Sequence, residues 1–187
     1  HALCIIDSGA AHADLTAEYA AIPAELKTIC EFFGKEYLRD VSEDEFYQKL
    51  PGLRRYAGDR AVLRAIHVFD DNRRVRRQVK ALQENRFEDF LHEVRASGVS
   101  SWQYLQNVIP TGAVRGQALA FALSQAERLL EGRGPCRVHG GGFAGTIQTY
   151  VPMELLPRFR EGMEAALGQG SCHVLSIRQE GSVEVCE

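Results

Sequence analysis

Four glycines within six positions constrain this chain more than any other feature of its sequence. They are Gly140, Gly141, Gly142 and Gly145, in the segment 135–146. Glycine has no Cβ, so it adopts positive φ freely and lets a backbone or a phosphate approach closely, but it is entropically costly to order. Apolar, strand-like segments flank the glycines directly, without the serine- and proline-rich composition of a linker. The sequence therefore predicts a shaped loop between two strands.

Hydrophobic periodicity predicts an α+β protein, with helices packed on one side of an antiparallel sheet of about four strands. Apolar residues recur every three or four positions in most of the chain before the glycines, which indicates amphipathic helices. Helices mostly precede strands, without the alternation that builds a parallel sheet. The predicted helices are 17–33, 43–50, 59–83, 87–96, a short one around 102–108, 114–130 and 157–167; the predicted strands are 2–7, 136–138, 146–151, 172–178 and 182–185.

Prolines, glycines and serines predict where the helices begin and end. Pro23 falls within the first helix, so this helix either begins there or is kinked. Ser42 and Glu45 have the spacing of a capping box, which opens a short helix that Pro51 ends. The segment 97–101, Ser-Gly-Val-Ser-Ser, is expected to end the helix that starts at residue 87.

The amino-acid composition excludes several classes of protein. The 187 residues are 45% hydrophobic and 25% charged, which suits one domain, or one half of a two-domain enzyme, with a sizeable core. A net charge of −3 does not favour a nucleic-acid or anionic-membrane partner. The five cysteines are scattered and form no Cys-x-x-Cys pair, so we expect small buried thiols in a reducing cytoplasm.

The glycine segment resembles a known motif when it is read with its neighbours. A strand, the sequence Gly-Gly-Gly-Phe-Ala-Gly, a second strand, Val-Pro and a helix follow one another. This order is similar to the C-terminal glycine motif of the GHMP small-molecule kinases, and in particular of the galactokinases, whose usual form is Arg-Met-Thr-Gly-Gly-Gly-Phe-Gly-Gly. Six of the nine positions match, and Val138, His139 and Ala144 differ.

Three other segments support the resemblance, which covers about residues 7–151. His12 is followed seven residues later by Tyr19 at the start of a helix, as in the family. Residues 64–68 read Arg-Ala-Ile-His-Val, a form of the Arg-Ala-x-His-Val stretch that galactokinases often contain. Residues 97–100 resemble a Ser-His-x-Ser element, with Gly where His is usual. The Arg residues that usually follow the motif Tyr are absent, because Ala-Ala-Ile-Pro stands there.

The resemblance implies only the C-terminal half of a two-domain kinase. The Gly-Glu-His sugar motif, the phosphate loop and the catalytic Asp with its partner Arg, which lie in the family's N-terminal half, are absent from the sequence. The chain also starts within a predicted strand and without an initiator Met. We therefore expect residues 1–187 to be a single domain that lacks its N-terminal phosphate-loop domain, has no catalytic residue or metal ligand of its own, and is inactive alone.

The resemblance also implies roles for particular residues. Tyr19 would contact galactose, although its place on the apolar face of a helix fits a core tyrosine equally well. His139, where the family has Thr, could contact a phosphate, move a proton or hydrogen bond across the loop, and we favour the last, structural role. The residues that would support the phosphate loop are Gly140, Gly141, Gly142 and Gly145.

Two further groups of residues have a functional and a structural interpretation. His12 and His67 could bind a metal ion only if the fold brought them together, so packing or capping is the better interpretation. Four arginines could grip a phosphate or an acidic partner, but a solvated helix face is the more common role of such a cluster. They are Arg73, Arg74, Arg76 and Arg77.

The functional hypothesis is the C-terminal domain of an ATP-dependent galactokinase, which transfers the γ-phosphate of ATP to the anomeric hydroxyl of D-galactose. The resemblance implies galactose, ATP, Mg²⁺ and the missing N-terminal domain as partners in the cytoplasm, and no nucleic acid or membrane. The alternatives are another GHMP sugar or alcohol kinase, a galactokinase-like sugar sensor that acts through protein partners, and an unrelated α+β ligand-binding domain. Because a separated domain exposes an apolar interface, this domain alone is expected to self-associate.

Overall fold

The computed structural model describes residues 1–10, 15–178 and 181. The strands are β1 (Ala2–Asp7), β2 (Cys136–Val138), β3 (Thr146–Val151) and β4 (Cys172–Leu175). The helices are α1 (Thr16–Phe32), α2 (Glu43–Gln48), α3 (Leu50–Ala57), α4 (Asp59–Gln83), α5 (Phe87–Ser100), α6 (Ala118–Leu130) and α7 (Leu156–Leu167). A 3₁₀ turn at Leu38–Asp40 and a π-helical turn at Ser101–Leu105 complete the regular structure.

The four strands form one antiparallel sheet in the order β2-β3-β1-β4. In the centre of the sheet, β1 pairs with β3 so that Ile6 lies opposite Ile147, and with β4 so that Cys4 lies opposite Val174. β2 and β3 form a hairpin around the glycines, with Val138 also opposite Ile147. The predicted α+β class with about four antiparallel strands is confirmed. The prediction that the helices pack on one side is wrong, because α6 and α7 cover one face of the sheet and Phe90 of α5 packs on Tyr150 at the other.

The main core lies between one face of this sheet and two helices. Cys4 and Ile6 of β1 and Ile147 of β3 are completely buried. They form one hydrophobic cluster with Leu119 of α6 and Met163 of α7. Burial of a large apolar side chain stabilises a fold by roughly 1.5–3 kcal/mol, so this cluster holds α6 and α7 against the sheet.

A second core holds the helices of the first half of the chain together. Ile29 of α1, Phe46 of α2, Leu53 of α3 and Ala65 of α4 are all completely buried in it. Helix α5 packs against both α4 and the edge strand β2, so it joins the two cores. None of the helices that the structure describes has the length and apolar character needed to cross a membrane.

Helix α5 ends at Ser100, within the segment 97–101 where its end was expected, but it does not break at Gly98. Helix α5 continues through Gly98 to Ser100, and the π-helical turn follows in place of the separate helix expected around 102–108. Gly98 serves a different purpose here: a Cβ added to it would lie only 2.7 Å from the carbonyl oxygen of Cys136. The glycine therefore lets α5 pack closely on β2, and it does not break the helix.

Pro51 does not have its predicted role, and one of the two alternatives for Pro23 is ruled out. Pro51 was expected to end a helix, but it lies in the first turn of α3, where the missing N–H of proline is tolerated. Pro23 lies inside α1, which begins at Thr16, so the alternative that α1 begins at Pro23 is wrong. Helix α6 begins at Ala118 rather than at residue 114. The predicted strand 182–185 lies outside the described residues.

Four of the five cysteines lie in the described part of the chain, and all four are buried: Cys4, Cys30, Cys136 and Cys172. Burial raises the pKa of the Cys136 thiol to about 12, so this thiol remains protonated at neutral pH. These side chains act as small hydrophobic residues, as predicted.

Candidate functional site

Residues 139–145 join β2 to β3 and form the glycine loop. Gly140, Gly142 and Gly145 have φ angles of 77°, 86° and 82°. Side chains other than glycine rarely adopt this region. Phe143 also has a positive φ, 61°, although it is not a glycine and is buried. The backbone conformation itself therefore requires three of the four glycines, and the predicted shaped loop is confirmed.

Tyr19 of α1 lies directly on the glycine loop. Its hydroxyl donates a hydrogen bond to the carbonyl oxygen of Gly142 at 2.7 Å. Its ring lies edge-on to Phe143, with ring centroids 5.6 Å apart, and a Cβ added at Gly141 would be 2.9 Å from its Cε1. Partial burial raises the pKa of Tyr19. The structure thus brings Tyr19 and the glycines together at one site, where its contact with a sugar stays a prediction.

Asn107, which no sequence motif singles out, also supports the loop. Its backbone carbonyl accepts a hydrogen bond from the N–H of Phe143 at 2.6 Å, and its side-chain Nδ2 donates to the carbonyl of Gly141 at 3.1 Å. Only 2% of the residue is exposed. A Cβ at Gly142 would lie 2.1 Å from the Asn107 carbonyl oxygen, so the two backbones are in close contact. No local sequence pattern marks Asn107.

A buried arginine fixes the segment that precedes Asn107. Arg64 of α4 is 1% exposed, and its Nε donates to the carbonyl of Leu105 at 3.1 Å. Its Nη1 donates to Glu25 of α1 at 2.9 Å, and Arg60 donates to the same carboxylate. Burial lowers the pKa of Arg64, and the charge of Glu25 opposes this shift. The pairing with Glu25 offsets the cost of burying the guanidinium and ties α1 to α4 beneath the loop.

The other end of the glycine loop is attached to the segment after β1. Ser8 donates two hydrogen bonds to the carbonyl of Gly145, from its N–H at 2.9 Å and from its hydroxyl at 2.6 Å. The N–H of Gly145 donates to Ala10 at 3.3 Å. The motif residue His12 lies outside the described residues, so its metal, packing and capping interpretations stay untested.

His139 and the first glycines form the exposed surface of the loop. The N–H of His139 donates to Thr146 at 3.0 Å and closes the hairpin, and its exposed ring Nδ1 lies 3.4 Å from Gln148 Oε1. Gly140 and Gly141 are also exposed. Among the hydrogen bonds of the described residues, none uses the N–H of either glycine. These N–H groups are therefore available to an acceptor outside this chain.

Two of the segments that support the resemblance meet in a buried polar cluster between α4 and α5. His67 Nδ1 lies 2.9 Å from the hydroxyl of Ser100, and its Nε2 lies 3.7 Å from Asp71. The hydroxyl of Ser97 donates to the same Asp71 at 2.8 Å. Burial lowers the pKa of His67, so the neutral ring is favoured. His67, Ser97 and Ser100 are buried between the two helices, which agrees with the packing interpretation of His67.

Three of the four arginines of the α4 cluster, Arg73, Arg74 and Arg77, pair with carboxylates. Arg73 bridges to Glu43, Arg74 pairs with carboxylates one turn earlier on its own helix, and Arg77 donates to Glu93 of α5 at 2.7 Å. These pairs agree with the structural interpretation of the cluster. Within the described ranges, no group of three His, Cys, Asp or Glu side chains converges closely enough to hold a metal ion.

The fold and the loop together define the class of this domain. It has a four-stranded antiparallel sheet, helices packed against that sheet and a glycine loop in the edge hairpin, which is an α+β architecture. The crystal structure of Lactococcus lactis galactokinase complexed with galactose matches 92% of this chain and 44% of its own chain, with a TM-score of 0.72 and 21% identity. This likeness establishes the fold.

Sequence comparison points to the same kind of protein. Galactokinase from Glaesserella parasuis serovar 5 is 30% identical over 159 residues, which are 85% of this chain and 39% of that protein. Galactokinase from Actinobacillus pleuropneumoniae is 28% identical over 160 residues, 86% of this chain and 40% of that protein. No protein-family model matches the chain. The predicted resemblance to the C-terminal domain of galactokinases is confirmed, and the chain spans about two fifths of the length of these relatives.

Proposed function

We propose that this chain is the C-terminal domain of an ATP-dependent galactokinase, which transfers the γ-phosphate of ATP to the anomeric hydroxyl of D-galactose. The observation that carries the proposal is the glycine loop, with Tyr19 bound to it, in a chain that is similar to galactokinases over 85% of its length. Residues 1–187 would form one domain, and a separate N-terminal domain would carry the phosphate loop and the catalytic residues.

The glycine loop would act as a rigid support for the phosphate-binding half of the enzyme. Phosphoryl transfer depends mostly on positioning and on electrostatic stabilisation. The exposed backbone N–H groups of Gly140 and Gly141 can donate hydrogen bonds to a phosphate or to the phosphate loop, and no side chain at these positions keeps that partner away. The hydrogen bonds at Gly142 and Gly145 hold the loop in place.

Tyr19 would orient the sugar at the edge of this loop. Its hydroxyl proton is engaged by the carbonyl of Gly142. The apolar C–H face of a sugar can pack on its ring. Tyr19 would therefore link the position of the sugar to the position of the glycine loop.

ATP and Mg²⁺ would be held mainly outside this domain. When bound, Mg²⁺ neutralises charge on the transferred phosphate. The described residues do not offer a metal-binding cluster, so we expect the N-terminal domain to supply the ligands. This domain alone would accordingly have no kinase activity.

The experiment is a kinase assay on the full-length protein that contains this chain. ADP release would be measured with ATP, Mg²⁺ and galactose, and with a panel of other sugars and alcohols. We expect turnover with galactose and none with this domain alone, which serves as the control. Turnover only with another sugar or alcohol would show that galactose is not the substrate. Binding of galactose and ATP without any turnover would favour the sugar sensor.

A further inference from the structure

Asn107 holds the glycine loop through both its backbone and its side chain. Its carbonyl accepts from the N–H of Phe143 at 2.6 Å, and its Nδ2 donates to the carbonyl of Gly141 at 3.1 Å. These two hydrogen bonds fix the peptide groups on either side of Gly142. The contact is so close that a Cβ at Gly142 would lie 2.1 Å from the Asn107 oxygen.

The segment that carries Asn107 is itself fixed by the helices. Gln106 has a positive φ of 57°, and its N–H donates to Ser101 at the end of α5 at 2.8 Å. The carbonyl of Leu105 accepts from the buried Arg64. Asn107 therefore transmits the position of α4 and α5 to the glycine loop, because each link is a hydrogen bond to a backbone group.

The two ends of the Asn107 amide are used differently. Nδ2 is bonded to the loop, whereas Oδ1 is buried and has no hydrogen-bond partner among the described residues. A buried acceptor without a partner destabilises a fold. Packing alone would be served better by an apolar side chain of the same shape. The asparagine is therefore best explained by its donor to the Gly141 carbonyl.

We infer that Asn107 is a positioning residue for phosphoryl transfer, a role that rests on the function proposed above. It sets the place of the exposed Gly140 and Gly141 backbone relative to the phosphate-bearing half of the enzyme. Asn107 does not itself touch the reacting groups. Its loss should lower the rate of the transfer step and leave the affinity for the sugar nearly unchanged.

The test is the substitution Asn107→Leu in the full-length protein, because leucine has nearly the same branched shape but lacks the donor. Asn72→Leu, on the exposed surface of α4, is the control. We expect kcat to fall roughly 10- to 100-fold, as for a misplacement of about 1 Å. The galactose KM should change by less than about threefold. The urea midpoint should stay close to wild type, because the orphaned Oδ1 is removed together with the hydrogen bond.

Hydrogen exchange gives a second readout that does not depend on turnover. Exchange at the amide of Phe143 should become faster in Asn107→Leu, and Asn107→Ala serves as the second variant if the leucine form does not fold. An unchanged kcat, or a fall in kcat that merely parallels lost stability, would overturn the inference, as would unchanged exchange at Phe143. If the wild type transfers phosphate to no sugar, the proposed function fails, while the exchange measurement still tests the hold of Asn107 on the loop.

Discussion

Alanine substitutions at neighbouring loop glycines should differ sharply in their cost. At Gly140 a Cβ would meet open space, so the only cost of Gly140→Ala in the free energy of unfolding comes from the positive φ of 77°. A left-handed conformation costs a non-glycine residue about 1–2 kcal/mol. At Gly142 the same backbone cost applies, at a φ of 86°, and in addition the Cβ would lie 2.1 Å from the carbonyl oxygen of Asn107.

The clash at Gly142 cannot be relieved by moving a side chain, because the neighbouring atom belongs to the backbone. The loop must shift by about 1 Å, which breaks the hydrogen bond from Phe143 to Asn107. Leaving a buried polar group unpaired costs about 1–3 kcal/mol. Gly142→Ala should therefore lower the free energy of unfolding by roughly 2–5 kcal/mol, against about 1–2 kcal/mol for Gly140→Ala.

The assay is urea unfolding of the wild type and both variants, followed by far-UV circular dichroism with a common m-value. Gly141→Ala adds an internal comparison, because Gly141 is not among the positive-φ glycines and its Cβ would meet only the movable ring of Tyr19, at 2.9 Å. We expect it to cost less than Gly142→Ala. Equal stability of Gly140→Ala and Gly142→Ala would refute the reasoning that Asn107 fixes the loop.

Three further predictions concern other parts of the molecule. Tyr19→Phe should lower the free energy of unfolding by about 1 kcal/mol and raise the galactose KM of the full-length protein more than its ATP KM; an unchanged galactose KM would leave Tyr19 a purely structural role. Because burial lowers the pKa of His67, its contribution to stability is complete above about pH 6.5 and is lost as the pH falls through its folded-state pKa. His67→Gln should therefore flatten the dependence of the urea midpoint on pH below about 6.5, and an unchanged slope would contradict this. The domain alone exposes Val114 and Ile177, with 85% and 79% of their surface accessible, so its sedimentation coefficient should rise with concentration; a monomer at every concentration would argue against an apolar interface.

Local signals in the sequence predicted the elements whose cause is local. The periodic apolar residues of α4 predicted its full extent, Asp59–Gln83, and the glycines predicted the loop between β2 and β3. The capping box at Ser42 was also recognisable, and its hydroxyl accepts from the N–H of Glu45. Each of these features depends on residues close together in the chain, so the sequence shows them directly.

Glycine and proline can stand at a position for different structural reasons, and at two positions in this chain the usual reason gives a wrong prediction of a helix end. A glycine after a helical segment usually indicates its end, but Gly98 is present because Cys136 of β2 passes within 2.7 Å of where a Cβ would stand. A proline usually stops a helix, but Pro51 opens one. For Gly98 the cause is a contact with a distant strand, and for Pro51 it is the start of a new helix. The local sequence pattern shows neither.

The support of the candidate site was the least predictable part, because its members come from distant segments. The hydrogen bonds of Tyr19 and Asn107 to the loop join residues that are 123 and 34 positions apart in the sequence. Tyr19 could be selected by the resemblance to the family, but nothing marks Asn107. Arg64 lay within a recognised stretch, yet its burial against Glu25 and Leu105 depends on the packing of α1 and α4.

The three departures from the usual galactokinase motif have unequal consequences. Val138 and Ala144 are each 2% exposed, and Ala144 does not have a positive φ, so these two changes alter packing inside the hairpin. His139 is exposed at the closing pair of the hairpin, with its ring Nδ1 3.4 Å from Gln148 Oε1. An incoming substrate or domain can touch His139 but not the other two. A difference in specificity from the galactokinases, if the kinase assay finds one, should therefore follow His139 when it is replaced by Thr.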